Sequence, residues 1–129
     1  MRFVVEDSFW QLFPDAAVAV VVARHCDNSS AGPGAAAAAE RLVAAAAEVA
    51  TNWSGVDFAT HPTILPWREA YAAFGARPSK HRSSIESLLR GAVAGRLRSV
   101  NPLVDLYNAT SLRHRLPCGG EDLASCRGE

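Results

Sequence analysis

Apolar and polar positions fall in blocks along this chain, and each block predicts an element. Residues 2–6 carry Phe3, Val4 and Val5, good β formers, and predict a short strand. Asp7 or Ser8 can cap a brief helical turn through Phe9, Trp10, Leu12 and Phe13, which Pro14 and Asp15 end. Residues 16–24, AAVAVVVAR, form a continuous β-branched run, the pattern of a strand buried on both faces of a sheet. The loop CDNSSAGPG follows, and then residues 35–51, an alanine-rich stretch with Glu40, Arg41 and Glu48 interspersed. Alanine has the best intrinsic helix propensity, so a helix is expected there. Residues 52–63, with Trp53 and Phe58, predict a loop.

Pro66 suits the first position of another helix. Trp67, Ala70, Tyr71 and Phe74 recur at i, i+3, i+4 and i+7 and make one apolar stripe, read as a core face in preference to a base-stacking platform. Gly75 caps this helix and Pro78 prevents its continuation. Ser83-Ser84-Ile85-Glu86 has the form of a capping box, in which a hydroxyl and a carboxylate three residues on satisfy two orphan amides. Ile85, Leu88, Leu89 and Ala92 are its expected buried face, and Gly91 and Gly95 weaken its end. Asn101-Pro102 signals one more helix start, with Leu103, Val104, Leu106 and Tyr107 as apolar contacts. LPCGG at 116–120 is a turn. No internal repeat and no heptad pattern is present.

Composition adds a division of charge. The chain has 129 residues and zero net charge, the size of one domain with a real core. Residues 1–60 hold three basic and seven acidic residues, whereas residues 61–129 hold ten basic and six acidic, so the halves carry −4 and +4. Opposite signs in the two halves fit a local basic face. Three cysteines, Cys26, Cys118 and Cys126, lack the spacing of a disulfide framework. No signal peptide pattern opens the chain, and the run at 16–23 is too short to span a bilayer. The expected setting is the reducing cytoplasm, without a membrane partner.

The densest positive run contains Arg77, Lys80, Arg82, Arg90, Arg96 and Arg98, opposed only by Glu86. Lys80 and Arg82 immediately precede a helix start, where free N–H groups and the macrodipole also favour anions, so Lys80, Arg82, Ser83 and Ser84 are candidates for binding phosphate. The plainer reading of these charges is a solvated face. Asn101, Asp105 and Asn108 follow i, i+4, i+7 and share a helical face, suited to orienting an amine, a ribose hydroxyl or water. The plainer reading of this row is capping and a buried hydrogen-bond network. The histidines show no metal spacing with the cysteines, and no catalytic triad, carboxylate pair, P-loop or dinucleotide fingerprint is present. No catalytic residue, metal or cofactor follows from the residues.

WREAY with FG, PSKHRSS with Glu86, NPLVDLYN with SL, and LPCGGEDL stand in order between residues 67 and 123. With these segments the chain resembles the B3/B4 domain of the β subunit of phenylalanyl-tRNA synthetase, closest to stand-alone proteins that carry this domain alone. FVVEDSFWQLFP and VAVVVARHCDNS extend the resemblance over essentially the whole chain as a single domain. The resemblance implies an α/β (α+β) fold, helices packed on a mixed β-sheet, that continues past residue 129, so the chain reads as truncated on its C-terminal side. It implies binding of tRNA and hydrolysis of mischarged aminoacyl-tRNA in trans, with Asn101, Asp105 and Asn108 lining the editing region. Such hydrolysis needs a held water and donors for the developing oxyanion rather than a protein nucleophile. One departure is Gly119, which stands where the synthetase carries the histidine of a Pro-x-His segment. The alternatives are a noncatalytic nucleic-acid-binding domain and a small-molecule, amino-acid-binding domain on the same fold.

Overall fold

The computed structural model describes residues 3–126. They divide into two compact units, one of residues 3–26 with 122–126 and one of Asp27–Glu121. The second unit holds the candidate site.

The first unit contains one short helix, α1 (Asp7–Leu12). The expected cap at Asp7 or Ser8 does not form. Glu6 occupies the cap position, and its side chain makes no capping bond. Phe9 packs edge-on to Trp10 at 5.1 Å and against Phe13 at 5.4 Å. Asp122 organises a turn by accepting from the Ala124 amide and the Ser125 hydroxyl.

The expected sheet is overturned: among the described residues there is no strand. Residues 3–6 lack regular structure, and Arg2, at the edge of that prediction, lies outside the described residues. The valine run at 16–24 is irregular and exposed, with Val21 90% accessible. The reason is non-local. A β-branched run becomes a strand only when a neighbour supplies the other half of the hydrogen-bond ladder, and no described segment does so. The fold is helical rather than α/β.

The second unit is built on three helices, α2 (Ala35–Asn52), α4 (Ser84–Val93) and α5 (Pro102–His114), with the shorter α3 (Leu65–Ala73) leading into α4. α2 packs against both α4 and α5. Its sequence gives helix because alanine loses almost no side-chain entropy on ordering. Ala38, Leu42 and Val49 make its buried stripe. Trp53 and Phe58, in the following loop, seal the end of the core with rings 5.6 Å apart. Ile64, Ile85, Leu89 and Leu112 fill the centre.

α2 and α5 run in the same sense. Ala35 and Ala39 border one groove with Asn101 and Asp105, and at the other end Arg115 lies over the Trp53 ring at 6.0 Å. Ala92, near the C-terminal end of α4, and Gly95 just past it lie beside Ala39, Leu42, Val43 and Ala46 of α2.

The α3 stripe is only half-buried. Trp67 packs on the core, while Tyr71 and Phe74 pair with each other at 5.1 Å near the surface. Gly75 ends this helix at φ +83°, a conformation that favours glycine. α5 also buries a different face from the one expected. Pro102, Asp105, Ala109 and Leu112 point inward, while Leu103 and Leu106 are exposed. A carboxylate therefore occupies a core position, and the tight polar contacts described below make that possible.

Candidate functional site

The two groups of candidate polar residues, one around Lys80 and one around Asn101, lie toward opposite ends of α4. Arg77 accepts through its carbonyl from the Lys80 and His81 amides, forming the turn that leads into α4. Ser83 caps that helix, its Oγ accepting from the Glu86 amide at 3.3 Å. Lys80, Arg82 and Ser84 are exposed around this cap, and Ser83 is buried. Asn101 and Asp105 stand beyond the other end of α4. Ten helical residues separate the two groups, about 15 Å of rise.

Half of the capping box forms. The Glu86 carboxylate was expected to return to the cap amide, but arginines take it instead. Arg68 donates to it bidentately, Nε to Oε2 at 3.0 Å and Nη2 to Oε1 at 2.7 Å. Arg90 donates its Nε to Oε1 at 2.9 Å while its guanidinium lies 4.4 Å from the centre of the Phe58 ring. Arg82 approaches the same oxygen at 3.9 Å, an ion pair without a hydrogen bond. The Glu86 side chain is fully buried. Burial alone pushes its carboxyl up, and the hydrogen bonds and charges of Arg68 and Arg90 more than offset this, holding it below the usual glutamate value.

The Asn101–Asp105–Asn108 row is largely committed to holding the chain. Asn101 Oδ1 accepts from the Val104 amide at 2.9 Å and caps α5. Asp105, 1% exposed, accepts from the Val100 amide at 3.0 Å and from the Ser99 hydroxyl, binding the incoming loop to the helix. Asn28 reaches across to take the Leu103 amide at 2.8 Å. Asn101 and Asp105 do border a shallow groove of about 280 Å³ with Ser30, Ala35, Ser99 and Val100. Asn108 is half-buried and lies outside that groove. Loss of the Asn101 cap through Asn101→Ala is expected to cost about 1 kcal/mol, read as a shift in the urea midpoint at unchanged slope.

Arg68 is the residue that sequence reasoning missed. It lies off the α3 stripe, and nothing in the sequence pairs it with a glutamate eighteen positions on. Arg82 and Arg90 were legible, since each is one helical repeat from Glu86. Among the described residues no group of three His, Cys, Asp or Glu side chains could hold a metal ion, and no helix is long and apolar enough to cross a membrane.

A helical unit with a capped, arginine-rich helix start is thus the class of domain these residues define. The B3/4 domain family model matches residues 66–129, and that stretch of the chain is similar to a B3/4 domain. The matched stretch contains α3, α4, α5, the arginine cluster and the polar row. The family is associated with the tRNA-binding β subunit of phenylalanyl-tRNA synthetase. None of the curated proteins or solved structures compared matches the chain.

Proposed function

We propose that this chain is a tRNA-binding domain of the aminoacyl-tRNA editing type, acting outside a synthetase subunit. The observation that carries this reading is the coincidence of the family match with an exposed cationic turn, Arg77, Lys80 and Arg82, inside the matched residues. Phosphate binding through such cations displaces condensed counterions, so affinity falls as salt rises. Replacing Lys80 and Arg82 together by alanine is expected to reduce the slope of log K against log[salt] by about 2 units. tRNA titrations by fluorescence anisotropy at several salt concentrations measure this, and an unchanged slope removes the turn from the interface.

Hydrolysis of mischarged tRNA in trans is the activity this reading carries with it. A deacylation panel tests it: ester loss above the uncatalysed rate for one mischarged species supports it, and no loss with any of them rejects it. A second reading, binding without chemistry, is favoured by the commitment of Asn101 and Asp105 to the backbone of their own loop and helix.

A further inference from the structure

Glu86 is one carboxylate among three guanidiniums, and the donors are unequally used. Arg68 spends two N–H groups on it, with its side chain only 20% exposed. Arg90 spends only its Nε, and its terminal nitrogens make no hydrogen bond among the described residues. Arg82 makes none with any of its donors, and its side chain is 50% exposed. The other carboxylate near this group is Asp57, turned onto the Ala59 amide at 2.9 Å and the Thr60 hydroxyl at 3.1 Å. Three cations against two carboxylates leave the cluster positive, before Arg77 and Lys80 on the adjoining turn are added.

We propose that Arg82 and Arg90, braced from behind by Arg68 and Glu86, form a binding site for a phosphate group. Their Nε atoms lie 3.9 and 2.9 Å from the same buried Glu86 oxygen, and their side chains are 50% and 33% exposed, so the two guanidiniums share one anchor and both reach solvent. A phosphate offers several strong acceptor oxygens and matches paired guanidinium donors geometrically. Glu86 holds Arg90 through Nε, and the Phe58 ring beneath fixes the plane of its guanidinium. Its remaining N–H groups are therefore preorganised rather than mobile. Arg82 moves from a long ion pair to a donor pair on the ligand and gives up no hydrogen bond in doing so. The site shares Arg82 with the RNA reading but does not rest on it, because it concerns the anion rather than its carrier.

The test is a titration of the whole chain with inorganic phosphate at constant ionic strength, following the arginine Nε–Hε signals by NMR. Saturable shifts are expected at Arg82 and Arg90, with Arg96 and Arg98 unmoved. Arg82→Gln, whose fold is checked by its thermal midpoint, is expected to weaken phosphate about tenfold, the effect of losing charged hydrogen bonds. Absence of a saturable shift, or equal affinity in Arg82→Gln, overturns the site. Two further ligands identify the carrier. Tighter binding of adenosine 5′-monophosphate than of phosphate assigns a terminal phosphate, and tighter binding of a short RNA with hydroxyl ends assigns a backbone phosphodiester. Equal affinity for all three makes the free anion the ligand. Phosphate binding without tRNA binding would reject the RNA reading and keep this site, and the converse would do the opposite.

Discussion

Glu86→Ala is expected to be the most damaging single change in the helical unit, with a loss of about 3–5 kcal/mol. The carboxylate is fully buried and receives three charge-assisted hydrogen bonds. Its removal leaves Arg68 and Arg90 facing each other without the carboxylate that bridges them, with only Asp57 nearby, and empties the space at the head of α4. Glu86→Gln keeps the volume and one acceptor, so its cost should be smaller than that of alanine. Denaturant melts of both variants measure the difference. A loss below about 1 kcal/mol for alanine would mean that the cluster behaves as an ordinary exposed ion pair.

The same group sets an acid limit. Its folded-state value is depressed, so its contribution is fully present above the unfolded glutamate value, about 4.3. That contribution falls away as pH drops through the lower folded value. The midpoint of thermal unfolding should therefore hold steady from pH 7 to about 5, as far as this group is concerned, and decline below about 4. In Glu86→Gln that part of the decline should vanish.

Asp105 provides the second large effect. Asp105→Ala is expected to cost about 3 kcal/mol, since it strips the Val100 amide and the Ser99 hydroxyl of a buried charged acceptor. Asp105→Asn keeps one acceptor oxygen and should recover a good part of that loss. The discriminating measurement is tRNA affinity of folded Asp105→Asn. If Asp105 holds the loop, affinity changes little once folding is allowed for. If it contacts the bound RNA end, affinity falls while stability is largely kept.

Local signals read well from sequence where the physics is local. Ser83 and Asn101 cap the helices that their side chains announce, Pro102 sits in the first turn, and the alanine-rich stretch is helical to within a residue of its expected end. The valine run was misread because strand formation depends on a partner elsewhere, and propensity carries no information about that partner. Glu86 was misread for a related reason. Its spacing from Ser83 fits a capping box, but Arg68, delivered by a different helix, offers a stronger bond than a neutral amide. The face of α5 was misread because Asp105 is buried through contacts to its own preceding loop, and hydrophobic periodicity does not register a satisfied polar group.

The parallel course of α2 and α5 has a bearing on the order in which the unit assembles. α4 and α5 meet across a connection of only eight residues, 94–101, whereas α2 must find α5 across the whole of 53–101. Loop closure is entropically cheaper for the shorter link. The second pair also depends on Trp53 and Phe58 folding in from the intervening loop. On loop-closure entropy, α2, the segment most able to become helical on its own, is expected to dock last, and the groove beside Asn101 and Asp105 needs it in place.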